Sequence, residues 1–115
     1  MAKTRYSLLQ DMLDNAVRVI EYTQGKTESE FLEDIILQDA VCRRLAILGE
    51  AAYELYTKID PSVLEILPEI EWKQIGNLRH LHHYNDINMD RVWKTIIEDI
   101  PPLINKLESA VKNNH

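Results

Sequence analysis

Apolar residues recur at helical intervals along the whole chain. Tyr6, Leu9, Leu13, Val17 and Ile20 step by three or four positions, which predicts a first helix burying that face. Gly25 is a natural stop, and Thr27 with Glu30 can form a capping box, each side chain satisfying the other's backbone donor. A second helix is predicted from about Phe31 to Tyr56, with Leu37, Val41, Leu45, Leu48, Ala52 and Leu55 as its stripe. Asp60-Pro61 ends it, because a residue before proline avoids the α region. A connector with Val63, Leu64, Ile66 and Leu67 runs to Pro68. The third helix starts near Glu71 and carries Trp72, Ile75, Leu78 and Arg79 towards His82. Turn formers fill Tyr84 to Asn88, and Asn88 or Asp90 can cap a last helix striped by Val92, Ile96, Ile100, Leu103, Leu107 and Val111. Pro101-Pro102 falls inside that stripe and predicts a kink or a short extra helix. With no strand-like alternation and no repeat, the pattern predicts an all-α, antiparallel up-and-down four-helix bundle in one domain, 1–115. The polar tail from Lys112 to His115 is expected to fray.

Composition narrows the class. A chain of 115 residues buries roughly two-thirds of its unfolded surface, enough for a core without staples. The single cysteine, Cys42, excludes an internal disulfide framework and any multi-cysteine zinc site, and fits a reducing cytoplasm. No cationic stretch precedes an apolar run near Met1, and no apolar run is long enough for a bilayer, so neither export nor a membrane span is expected. With 13 Lys+Arg against 19 Asp+Glu, the net charge of −6 argues against coating nucleic acid by charge alone. A local site remains open.

The anomaly is histidine. Three of the four histidines, His80, His82 and His83, fall between Arg79 and Tyr84. On a continuing α-helix, His82 and His83 share the face of Arg79, while His80 points about a quarter-turn away. Imidazole, with an ordinary pKa of about 6.5, gives or takes a proton near neutrality. Guanidinium stays charged and presents paired donors to phosphate oxygens. Together they suit phosphodiester chemistry: activation of a ribose 2′-hydroxyl and stabilisation of charge on phosphorus, with no metal. Two other readings stay open on the residues alone. The cluster can decorate a helix C-terminus, where cations meet the dipole favourably, or bind a metal, although the three rings do not converge from one face.

The remaining features read structurally. Cys42, beside Arg43 and Arg44, has no neighbouring histidine and reads as a packed thiol. Glu28, Glu30, Glu33 and Asp34 read as a solvated helix start, and Trp72 and Trp93 as core or interface anchors. The chain has no Gly-rich phosphate loop and no Ser-centred nucleophile elbow.

The stretch from Asp39 to Leu55 resembles the second-helix signature of HepT-like proteins, small HEPN-fold subunits of bacterial and archaeal toxin–antitoxin pairs. Trp72 to Tyr84, Asp90 to Trp93 and Glu98 to Leu103 resemble the rest of that family in order and spacing, so the likeness covers nearly the whole chain. It implies a HEPN-like homodimer paired with a minimal nucleotidyltransferase antitoxin. It also implies a cofactor-free, metal-independent endoribonuclease whose motif is Arg, four to six residues, His, one residue and Tyr. The antitoxin transfers AMP onto that Tyr and blocks the RNA site.

Carried over, the resemblance makes His82 catalytic and Tyr84 the AMP acceptor. The arginine end departs from the motif. Asn77 stands at the expected arginine position, its Gly76-Asn77 pair resembling a divergent branch of the family, and Arg79 lies two residues too close to His82. The candidate cation is Arg79 from its own turn or an arginine brought across a two-fold dimer from the other subunit, with Asn77, His80 and His83 auxiliary. Three functions follow: a toxin-type ribonuclease acting on RNA; a catalytically inactive HEPN module that dimerises and docks a nucleotidyltransferase, aiding nucleotide binding; and, more weakly, a histidine metal sensor.

Overall fold

The structure is a computed structural model that describes residues 3–82 and 87–113. Helix α1 (Arg5–Thr23) starts at Thr4, whose hydroxyl accepts from the Ser7 amide while the Ser7 hydroxyl accepts from the Thr4 amide. It ends ahead of Gly25, whose φ of +76° suits a residue without Cβ. The capping box at Thr27 and Glu30 opens a short helix, α2 (Glu28–Glu33).

The second helix of the sequence reading is two helices. Asp34 leaves the helical region (φ −110°, ψ 92°) and caps α3 (Ile35–Glu54), accepting from the Leu37 amide at 3.0 Å. A short carboxylate that competes for backbone donors can interrupt a helix even where the apolar spacing runs on. Gln38 braces the corner, donating to the carbonyls of Phe31 and Leu32 at 3.0 and 3.1 Å. The α3 coil widens into a π turn (Leu55–Ile59) and stops at Asp60. A single turn, α4 (Val63–Ile66), then leads to α5 (Trp72–Gly76). Beyond Gly76 the coil tightens to a 3-10 segment (Asn77–His82).

The last helical stretch comprises α6 (Met89–Lys94), a π turn (Thr95–Asp99) and α7 (Ile100–Asn113). The Asn88 side chain caps α6, accepting from Asp90 N at 2.8 Å. The interruption expected from Pro101-Pro102 takes the form of that π turn, placed just ahead of the prolines. Their missing N–H groups therefore fall in the first turn of α7, where they cost least. Helix continues through Lys112 and Asn113, where fraying was expected.

Helix α3 is the central rod, packed against α1, α2, α5 and the 3-10 segment. Its small residues, Ala46, Gly49, Ala51 and Ala52, allow that crowding and are all buried. Four rods result: α1, α3, α5 with the 3-10 segment, and α6 with α7, an all-α HEPN-like bundle. Every stripe residue of the last helix is buried except Val111, which is half-buried. In α1 the fully buried line is Leu8, Leu9, Met12, Ala16 and Val19, while Leu13, Val17 and Ile20 are half-buried. Because α1 touches both α3 and α7, it buries a face wider than one stripe. Among the described residues, no helix is long and apolar enough to cross a membrane.

Candidate active site

The 3-10 segment lies backbone to backbone on α3. A Cβ added at Gly49 would fall 2.4 Å from the Arg79 amide nitrogen and 2.9 Å from the Ile75 carbonyl oxygen. Only glycine permits that approach, so the spacing between the two elements is set by main chain. Gly76 is the milder counterpart, its added Cβ meeting the Tyr56 ring at 3.2 Å.

Tightening of the coil matters chemically. At three residues per turn, side chains at i and i+3 eclipse, and six-residue runs of this kind are uncommon. Arg79 and His82 therefore stand one above the other. Facing them on α3 are two residues that are also three apart, Tyr53 and Glu50. The Arg79 guanidinium carbon sits 3.8 Å from the centroid of the Tyr53 ring and its Nη1 donates to the Gly76 carbonyl at 2.7 Å. Tyr56 meets Tyr53 edge-on, with centroids 5.6 Å apart. The His82 ring places Nε2 2.5 Å from Glu50 Oε1. Glu50–His82 and Tyr53–Arg79 thus form successive rungs across the two elements.

Arg79 is half-buried and held by a ring face and a carbonyl, neither of which cancels its charge. Most of its donors are unused among the described residues, so it can meet an anion.

Asn77 and His80 do not join this row. Asn77 turns to the other side of the 3-10 segment, where it lines a cavity of about 450 Å³ with Asn88, Arg91, Thr95, Leu78 and Leu81. His80 is exposed. His83 and Tyr84 lie outside the described residues, and with them the tyrosine end of the motif. Among the described residues, no group of three or more His, Cys, Asp or Glu side chains is arranged to hold a metal ion.

Cys42 is buried, and desolvation pushes its thiol up to about 11, the packed thiol expected of it. Trp72 is core, its indole N–H donating to the Leu67 carbonyl at 3.0 Å. Trp93 packs against Phe31 with centroids 5.4 Å apart.

Residues 12–110 match the family model described as "Ribonuclease HepT-like". The chain belongs to the HepT-like ribonuclease family. It is 33% identical over 109 residues to "Putative RNase MJ0127" of Methanocaldococcus jannaschii, covering 93% of this chain and 87% of that protein. It is 32% identical over 114 residues to "Probable ribonuclease HepT" of Thermococcus cleftensis, covering 97% of this chain and all of that one. No solved structure matches.

In this HepT-like chain, sequence reasoning found Arg79 and His82 but missed their partners. Glu50 and Tyr53 belong to the quoted signature, yet only the crossing of α3 with the 3-10 segment shows what they touch. One signal was available: Gly49, a glycine in mid-helix next to Glu50, marks a close backbone contact.

Proposed function

We propose that this chain is a metal-independent endoribonuclease, the toxin subunit of a toxin–antitoxin pair, acting as a cytoplasmic homodimer. What supports the reading is the eclipsed row of Arg79 and His82, which offers one phosphodiester an imidazole and a guanidinium, the latter without a carboxylate partner among the described residues. In the reaction the ribose 2′-oxygen attacks phosphorus while its proton passes to the imidazole of His82. The P–O5′ bond breaks, and the 5′-oxygen leaves with a proton returned by the imidazolium, giving a 2′,3′-cyclic phosphate and a 5′-hydroxyl end. Arg79 balances the charge that gathers on the non-bridging oxygens. A minimal nucleotidyltransferase partner silences the site by transferring AMP to Tyr84. Ile35 and Ile36, 70% and 83% exposed, leave apolar surface for a second copy to cover.

The test is cleavage of a labelled single-stranded RNA by tag-free protein, with and without EDTA. Activity in both, lost in His82→Ala, is the expected result; intact RNA in both overturns the reading. Co-expression with the neighbouring-gene nucleotidyltransferase should add AMP to the Tyr84 peptide in mass spectrometry, and an unmodified peptide counts against that partner.

A second reading, an inactive module that dimerises and docks the nucleotidyltransferase, is favoured by one observation. Only two residues separate Arg79 from His82, where the family motif has four to six. It predicts Tyr84 modification without cleavage by either form.

A further inference from the structure

We propose that Glu50 is a positioning residue for His82, fixing which ring nitrogen carries the proton and turning Nδ1 towards substrate. The proposal rests on the ribonuclease reading and names a further part of the same site.

Among the described residues, the imidazole has one anchored nitrogen. Nε2 lies 2.5 Å from Glu50 Oε1, and a carboxylate offers only acceptor oxygens, so Nε2 is the protonated nitrogen and the lone pair of the neutral ring is at Nδ1. The backbone spacing across which these two side chains meet is itself fixed. Gly49, adjacent to Glu50, sets the helix-to-segment spacing through backbone contact with Ile75, Leu78 and Arg79. Glu50 is exposed, with 54% of its side chain accessible, so it has no core to hold together.

Chemically, Nδ1 takes the 2′-hydroxyl proton as the 2′-oxygen bonds to phosphorus. The ring then carries N–H groups on both nitrogens, and Glu50 stabilises that cation until Nδ1 returns its proton to the departing 5′-oxygen. Glu50 neither gains nor loses a proton. Tyr53 plays the matching part for Arg79 one rung away, through its ring face.

The experiment uses the full chain, nitrogen-15 labelled, with long-range proton–nitrogen spectra recorded where histidine rings are neutral. His82 is assigned by its loss in His82→Gln. Wild type is expected to show His82 protonated at Nε2 alone, and Glu50→Ala a mixture of the two tautomers. Glu50→Gln keeps a carbonyl acceptor for Nε2, so it retains the wild-type tautomer while losing the charge that steadies the cation.

On a single-stranded RNA oligonucleotide, Glu50→Ala should lower kcat by about 10- to 100-fold, as expected for loss of reacting geometry, with KM nearly unchanged. Glu50→Gln should fall between Glu50→Ala and wild type. An unchanged His82 tautomer in Glu50→Ala, or cleavage as fast as or faster than wild type, overturns the proposal. If wild type leaves RNA intact, the ribonuclease reading fails by itself, and the tautomer spectra alone decide whether Glu50 holds the ring.

Discussion

Two places along the C-terminal half of α3 and the turn after it fasten cations in opposite ways. At the corner with α1, Lys3 meets Glu54 and Arg5 meets Asp60, each nitrogen 2.8 Å from a carboxylate oxygen. On the residue just before Glu54, Arg79 rests on the face of the Tyr53 ring, 3.8 Å away, and donates to a backbone carbonyl at 2.7 Å. The corner cancels its charges and ties chain segments together. Among the described residues, the strip of Glu50, Tyr53, Arg79 and His82 holds its guanidinium without a carboxylate partner, as the proposed contact with a phosphate requires.

The strongest way to break this comparison is to push the strip off α3. Gly49→Ala should lose on the order of 3 kcal/mol, since the new methyl has main chain on its far side, and thermal unfolding should drop by roughly 10–20 °C. Gly76→Ala, whose Cβ meets side-chain atoms of Tyr56 and, at 3.7 Å, Arg79 Nη1, should change stability by less than about 1 kcal/mol, helped by alanine's better helix propensity. Equal losses in the two variants would remove the argument for a main-chain contact.

Next comes a crossed pair. Arg79→Ala should cut RNA cleavage by about 100- to 1000-fold, the usual cost of one charge-stabilising donor, with little change in melting temperature. Arg5→Ala should do the reverse, leaving cleavage intact and costing about 0.2–1 kcal/mol of stability, as for other solvent-accessible pairs. Tyr53→Leu is a finer probe. Loss of a cation–π contact worth about 0.5–1 kcal/mol should slow cleavage roughly two- to fivefold without unfolding the chain.

The smallest effect is in acid. Hydrogen bonds from Ser62 first, and then Arg5, hold the Asp60 carboxyl below its ordinary value of 3.8. Its contribution to stability is therefore complete above about that value and is lost as pH falls through the lower folded value. Asp60→Asn should lower stability slightly in the neutral region, converge with wild type in acid and so flatten the curve below about pH 4, as urea titrations at several pH values would show.

Much of the fold was legible because burial follows spacing. Leu45, Leu48 and Ala52 in α3, Leu55 at the start of the π turn after it, and Ile96, Ile100 and Leu107 in the last rod, are buried where the pattern put them. The pattern failed where a neighbour or a side chain overrode it. Asp34 cut a helix whose apolar spacing continues through it, and α1 buries more than one line because two rods flank it. At the site, Arg79 and His82 were legible as chemistry. Their alignment follows from a local change of pitch that no periodicity announces, and Glu50 and Tyr53 come from an element more than twenty residues away in sequence. Asn77 stands at the motif's arginine position yet faces another cavity, so spacing along the chain did not predict direction in space.

The tight winding after Gly76 has a consequence for how this segment can vary in length. One residue added between Arg79 and His82 would swing the imidazole about a third of a revolution away from the guanidinium, and two would swing it as far the other way. Only a gain of three would bring the pair back into line, and then one storey further apart. Within this coil, tolerated insertions should come in triplets.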